Sequence, residues 1–321
     1  MASPRTILLA GPTAGGKSAL AMRLAQHFGG VIINADSMQV YRDLCILTAR
    51  PSPQDAARVP HALYGFVDGA QAYSAGRYAG DAERAIAAAA EQGRVPIVAG
   101  GTGLYFKALL EGLAPIPVTP EEIRRHWRAE ARRLGAALLY EVLRKRDPDT
   151  AARLQPTDPQ RIVRALEVLD ATGQSLIYWQ RLPGRPILAC EETLRLVLAP
   201  PRAEIRRRCE ARVDAMMAAG ALDEVRTLAA RRLDSGLPIM RALGVRPLCA
   251  HLDGRLGREE AVAEAKAETR QYAKRQQTWL QSHMREWQWP KPQHMERILD
   301  DVVSFLRQAA GRRQWAAGDG G

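Results

Sequence analysis

The sequence predicts an α/β fold: a parallel sheet flanked by helices and interrupted by a helical insertion. Three observations carry that reading. Short β-branched runs alternate with helical segments between residues 7 and 99, the pattern of a parallel sheet. Each of the first three runs leads into glycine or an acid, the chemistry expected where such a sheet opens a ligand crevice at its strand C-termini. Pro115, Pro117 and Pro120 then break the alternation, and a long stretch of helix formers comes after them.

In chain order, the run at 7–10 reads as the first strand and 19–25 as helix. The run at 31–33 is the second strand and leads to Asn34, Ala35 and Asp36. Residues 82–91 are Ala-rich and helical, and 95–99 is a third strand ending in Gly100, Gly101, Thr102 and Gly103. Ile123, Trp127, Ala131 and Leu134 then recur at helical spacing, as do Leu138, Val142 and Leu143, and again Ile162, Ala165, Leu166 and Leu169. Residues 119–193 are therefore expected to form the insertion. A returning strand is expected at 195–199. Ile205, Cys209, Val213 and Met216 mark a long helix with Arg208 and Arg212 on its other face, and 260–285 reads as another. The α/β core then comprises 1–118 and 194–310, with a disordered tail at 311–321.

Composition narrows the classes. Apolar residues make up 46% of the 321, which excludes wholesale disorder. The formal net charge is +11, and it is uneven: 194–290 holds 18 basic and 12 acidic residues, while 1–118 and 119–193 are each only +2. A localised surface for a polyanion would look like this. The four cysteines form no CxxC pair and the six histidines no ligand-spaced cluster, which argues against structural zinc. Scattered thiols suit a reducing compartment. No apolar run approaches the roughly 20 residues of a membrane span, and the first residues lack signal-peptide design. A cytoplasmic protein with no membrane partner is expected.

Gly11, Pro12, Thr13, Ala14, Gly15, Gly16, Lys17 and Ser18 satisfy GxxxxGK[ST] between a strand and a helix. Glycines let the backbone curl its N–H groups onto one anion. The helix N-terminus adds positive potential, Lys17 a point charge, and Ser18 a hydroxyl for Mg²⁺. The pattern fixes a phosphate ligand and leaves the reaction open. Nucleotide hydrolases and kinases with this loop carry an Asp at the end of another strand. Here the third strand ends in glycines, and the carboxylate is Asp36, followed by Ser37, Met38 and Gln39. Taken alone, Asp36 is as readily a turn residue as a general base, and Thr102 as readily part of an ordinary turn. In the late helix, Arg270, Lys274, Gln277 and Gln281 keep i, i+4, i+7, i+11 spacing. That face suits phosphate contact, or simply solvent. Trp279 reads as a core anchor.

With these residues in view, the chain resembles the bacterial tRNA dimethylallyltransferase family. The likeness rests on GPTAGGKS at 11–18, NADSMQVY at 34–41, GGTGLY at 100–105, DPQRIVRALEV at 158–168 and AKRQQTW at 273–279. It implies a P-loop NTPase-like core and transfer of a dimethylallyl group from its diphosphate to the N6 amine of the adenosine just 3′ of the anticodon. The tRNAs concerned read codons that begin with U. The resemblance implies Asp36 as general base, with Ser37, Met38 and Gln39 lining the extruded base. The diphosphate would lie on residues 11–18 with Lys17, with Mg²⁺ at Ser18, and Arg212 would neutralise the leaving group. Thr102, Arg124, Gln160, Arg161, Ile162, Val163 and Arg164 would meet the anticodon stem-loop. So would Arg241, Gly244, Arg246, Lys274, Arg275, Gln276, Gln277, Thr278, Trp279, Leu280 and Gln281. A monomer is expected. The chain departs from the family pattern at Gly15 (usually Ser), Leu47 (Gly), Arg50 (Lys) and Val245 (Tyr). Two other classes stay open on residues alone: a small-molecule or nucleotide kinase, and a tRNA-binding protein that senses nucleotide.

Overall fold

The computed structural model describes residues 5–290, 298–299 and 302–305; the expected tail at 311–321 lies outside the described residues. The strands are β1 (Thr6–Ala10), β2 (Gly30–Asn34), β3 (His61–Ala62), β4 (Val95–Gly100) and β5 (Thr193–Val197). The helices begin with α1 (Lys17–Phe28), α2 (Pro53–Arg58), α3 (Ala75–Glu91) and α4 (Gly103–Leu110). Then come α5 (Glu121–Arg146), α6 (Pro148–Ala151), α7 (Pro159–Thr172) and α8 (Leu176–Arg181). After β5 come α9 (Arg202–Ala218), α10 (Ala221–Ala230), α11 (Val245–Leu252) and α12 (Arg258–His283).

The chain divides into two compact units. One runs to Leu110 and resumes at Ile187; the other is Glu111–Pro186. The sequence places the insertion at 119–193, so both junctions lie earlier than expected. The cause is local. The N–H groups of Ile187 and Leu188 both donate to the Leu109 carbonyl at 2.9 Å, and Leu188 is buried in the sheet-side core. Ile116, before α5, packs instead against the insertion's own core.

In the first unit the five strands are all parallel, in the order β3-β2-β4-β1-β5. Every residue of β1 and β2 is buried, as a parallel sheet covered on both faces requires. Side chains still alternate. Leu8, Ile33 and Val98 enter a core with Tyr78 and Phe106, while Ile7, Ile32 and Ile97 enter another with Leu20 and Leu24.

The glycines at the tip of β4 allow close approach. A Cβ on Gly100 would lie 2.0 Å from the Ala35 carbonyl oxygen. One on Gly101 would meet Gln276 at 2.2 Å, and one on Gly103 the Trp279 ring at 2.1 Å. Two strand tips and α12 thus converge where any side chain would hold them apart.

The insertion is helical, with its own core of Trp127, Leu139, Leu143, Ile162, Ala165 and Leu166. Leu138, expected on the apolar stripe, is 58% exposed. Gly135, at φ 73° and ψ 171°, breaks α5, so Leu139 takes the inward place expected of Leu138, while Val142 and Leu143 pack on this core as expected. Trp127 donates its Nε1–H to Asp170 at 2.7 Å.

Gly100→Ala is expected to destabilise the protein by about 3 kcal/mol, the upper range for overpacking against unyielding backbone. Urea unfolding followed by circular dichroism reads this directly, and a change within roughly 0.5 kcal/mol would contradict the packing account.

Candidate active site

The three glycine- or acid-tipped strand ends converge as expected. β1 leads into the phosphate loop, whose last residues open α1. Gly16 has φ 90° and Ala14 φ 57°, so the loop curls through left-handed backbone. Lys17 donates from Nζ to the Pro12 carbonyl at 2.7 Å. Gln276 ties the loop to its surroundings: it accepts from the Thr13 N–H at 2.8 Å and donates to the Gly101 carbonyl at 2.9 Å.

Beyond β2, Asn34 accepts from the Asp36 N–H at 2.8 Å and donates to the Asp36 and Leu63 carbonyls. Its buried amide fixes the turn that presents Asp36. The Asp36 carboxylate accepts from the Met38 N–H at 2.9 Å, and Ser37 N–H donates to Thr102 Oγ1 at 3.0 Å. Thr102 therefore clasps the tips of β2 and β4.

A cavity of about 660 Å³ opens over these tips. Thr13 to Ser18, Asp36, Gln39 and Arg212 line it together. Gln39 donates to the Thr48 and Ala49 carbonyls at 2.9 and 3.1 Å, and Arg212 to Thr48 at 3.1 Å. Sequence reasoning missed several lining residues: Arg50, Asp55, His61, Tyr64 and Arg208. Arg208 was legible as the residue one helical turn before Arg212; it accompanies the phosphate loop, 3.6 Å from where a Gly16 Cβ would sit. His61 and Tyr64 lie in or just after a two-residue strand that leaves no periodic signal. Ala21, Met22, Ile32 and Ala99 supply apolar wall.

The electrostatics are strained toward anion binding. Burial pushes Lys17 down to about 8; the Asp36 carboxylate partly offsets this and Arg212 adds to it. Arg212 is likewise lowered by burial and supported by Asp36. Burial, and then the negative charge of Asp36, raise the hydroxyls of Tyr64, Tyr105 and Tyr272. Cations held this way gain by meeting a phosphate. Among the described residues no group of three or more His, Cys, Asp or Glu could hold a metal ion. Ser18, exposed at the mouth of the cavity, does suit Mg²⁺, which takes few protein ligands and keeps phosphate oxygens and water.

This arrangement has close relatives. A family model described as IPP transferase matches residues 39–283, and one described as isopentenyl transferase matches 4–61. A tRNA dimethylallyltransferase from Azorhizobium caulinodans is 52% identical over 304 residues, covering 95% of this chain and 96% of its own. Its namesake from Methylobacterium nodulans is 56% identical over 298 residues, covering 91% and 97%. The chain belongs to the tRNA dimethylallyltransferase family. The solved structure of a tRNA isopentenylpyrophosphate transferase from Bacillus halodurans matches with TM-score 0.69 at 29% identity, over 97% of this chain and 99% of that one. A eukaryotic dimethylallyltransferase acting on tRNA matches at TM-score 0.71 and 30% identity, over 87% and 70%. The fold is thus the P-loop NTPase-like one of this prenyltransferase family.

The departures from the family pattern have local explanations. A Cβ on Gly15 would lie 2.8 Å from the Pro12 carbonyl oxygen, so this loop closes more tightly than a Ser would allow without adjustment. Leu47 packs over Gly244, and Arg50 lies across Gly65 and donates to the Tyr41 carbonyl at 3.1 Å. Val245 is fully buried.

The remaining expected residues divide between the units. In the insertion, Gln160 and Arg161 are exposed; Arg161 pairs with Asp158 at 3.2 Å and Arg164 donates to Thr119 at 2.9 Å. Arg124 pairs with Glu121 at 3.9 Å, Ile162 is a core residue and Val163 packs beside it. In the first unit, Arg241 donates to the Gly236 carbonyl at 2.7 Å, Gly244 N–H to Glu268 at 3.1 Å, and exposed Arg246 pairs with Glu268 at 3.3 Å. On α12 the face is rotated from the expected one. Gln277 turns inward and donates to the Pro200 carbonyl at 3.3 Å, Gln276 and Leu280 are buried, and Arg270 pairs with Glu210 at 3.0 Å. The outward face carries Gln271, Lys274, Arg275, Thr278 and Ser282 around the half-buried Trp279, with Gln281 exposed nearby.

A diphosphate on this loop would be held by Lys17 in its charged form. Below about pH 8 the free protein already carries that proton. Above it the proton must be taken up on binding, so affinity for inorganic diphosphate should fall by up to about tenfold per pH unit toward the ordinary lysine range. Calorimetry from pH 7 to 9.5 checks this, with Lys17→Met expected to remove the part of the pH dependence that belongs to the protein.

Proposed function

We propose that the protein transfers the dimethylallyl group of dimethylallyl diphosphate to the exocyclic N6 amine of the adenosine 3′-adjacent to the anticodon, releasing diphosphate. The substrates are tRNAs reading codons that begin with U. Family membership supports the reaction class. The observation that carries the finer reading is the shared cavity: Asp36, Lys17 and Arg212 line one space, and the tip of β4 offers glycines where a phosphoryl-transfer site would hold an Asp.

In the reaction the allylic C–O bond breaks and its electron pair leaves with the diphosphate. The amine nitrogen forms the new C–N bond and loses a proton. An aromatic amine is a weak nucleophile, so Asp36 takes that proton as the bond forms. Lys17, Arg208, Arg212 and the loop N–H groups stabilise the charge that grows on the leaving diphosphate. Ser18 would hold Mg²⁺, which supplies further charge neutralisation there when bound. Gln39, braced on two carbonyls, orients the base. An unpaired loop nucleotide is the cheapest to extrude from its stack, at a few kcal/mol. The exposed basic residues of α12 and of the insertion take phosphates of the anticodon stem-loop. The same reading gives a monomer working in the cytoplasm; no helix among the described residues is long and apolar enough to cross a membrane.

Incubation with labelled dimethylallyl diphosphate, Mg²⁺ and tRNA should move label into tRNA, and nucleoside mass spectrometry should find it on that adenosine. ATP-dependent phosphoryl transfer with no label in tRNA would reject the proposal in favour of a kinase. Asp36→Ala should lower turnover by about 10²- to 10⁴-fold while tRNA affinity is retained.

A further inference from the structure

Glu224, in the first turn of α10, lies outside the cavity lining and has no part in the chemistry above. Its carboxylate accepts from three consecutive main-chain N–H groups: Cys45 at 2.6 Å, Ile46 at 2.8 Å and Leu47 at 2.9 Å. Three successive amides wrapped on one anion form a nest, which fixes the backbone there more firmly than a turn with solvated amides. The helix N-terminus favours the negative charge as well.

Immediately after the nest, the chain forms a wall of the active site. Ala49 N–H donates back to the Ile46 carbonyl at 2.9 Å, with Ala49 in left-handed backbone at φ 47°. The Thr48 hydroxyl donates to the Leu44 carbonyl at 2.8 Å. These bonds leave the Thr48 and Ala49 carbonyls as acceptors for the cavity side chains: Thr48 for Arg212 and Gln39, Ala49 for Gln39. The Thr48 carbonyl is the acceptor that holds the Arg212 guanidinium, so the direction of that charge depends on where this carbonyl is kept.

We infer that Glu224 is a positioning residue for prenyl transfer, folding the 45–47 turn so that the Thr48 carbonyl aims Arg212 at the departing diphosphate. This rests on the reaction proposed above. Glu224 acts through another residue and touches no substrate. Replacing its carboxylate by an amide keeps the size but turns an N–H donor toward N–H donors, so the nest opens without a cavity being made.

The test is a double-mutant cycle in single-turnover prenyl transfer. Glu224→Gln should slow the chemical step roughly 10- to 100-fold, the cost of a small misplacement of a charged group. KM for tRNA should be unchanged. In the Arg212→Ala background the same substitution should slow the step clearly less than in the wild-type protein, the remaining loss being what the turn does through Gln39. Asp223→Asn, beside it and ion-paired among the described residues to exposed Arg226, should retain the wild-type rate. Equal losses in both backgrounds, or a full rate in Glu224→Gln, overturn the inference. If Glu224→Gln does not fold, Glu224→Asp, with its carboxylate one methylene short of the nest, reads the same coupling. If the wild-type protein moves no label to tRNA, the proposed reaction fails instead. The cycle is then read in calorimetric affinity for inorganic diphosphate, where additive losses again overturn the role of Glu224.

Discussion

Lys17, Arg50, Arg208 and Arg212 line one cavity whose carboxylates are Asp36 and Asp55, and this excess of positive charge sets what must surround it. Arg208 is exposed and paired with Glu204 at 2.7 Å, but Lys17 and Arg212 are partly withdrawn from water, and such cations oppose folding unless something rigid holds them in place. Here main-chain carbonyls do so: Pro12 takes the Lys17 ammonium and Thr48 the Arg212 guanidinium. In the proposed reaction a diphosphate would complete the charge balance, and its charge would grow as it leaves, which is the requirement for stabilising a leaving group more than a ground state.

The same logic explains why the second-strand tip carries the acid. Asp36 lies close enough to both cations to raise their basicity against the effect of burial. A carboxylate at the third tip would occupy the space that Gln276 and Trp279 now use above Gly101 and Gly103. The glycines after β4 thus serve packing first. By keeping that tip free of acid they let a helix from the far end of the chain close over the strands.

Much of this was legible in the sequence because the signals were local. The phosphate loop, the strands at 7–10, 31–33 and 95–99, and the α9 stripe of Ile205, Cys209, Val213 and Met216 all form as their patterns imply. The illegible parts depend on distant partners or on small side chains. The buried face of α12 runs through Ala261, Ala265 and Ala273, too weakly apolar to set the helix phase, so nothing in the sequence turns Gln276 and Gln277 inward. Gly135 broke α5, so Leu139 rather than Leu138 turns inward. Glu224 reads as an ordinary first-turn acid, since its three amide partners lie more than a hundred residues earlier. β3 is two residues long, below what any periodicity can report.

The Gln276 tie has a consequence for the birth of the molecule. Thr13 and Gln276 are 263 residues apart, so the phosphate loop is synthesised long before the residue that fastens it. Closing so long a span is slow compared with forming the helices between. A ribosome-bound chain has its strands and its insertion before it has a braced loop. The bracing of the loop therefore arrives with α12, and a chain cut short before that helix keeps the motif but lacks its clasp.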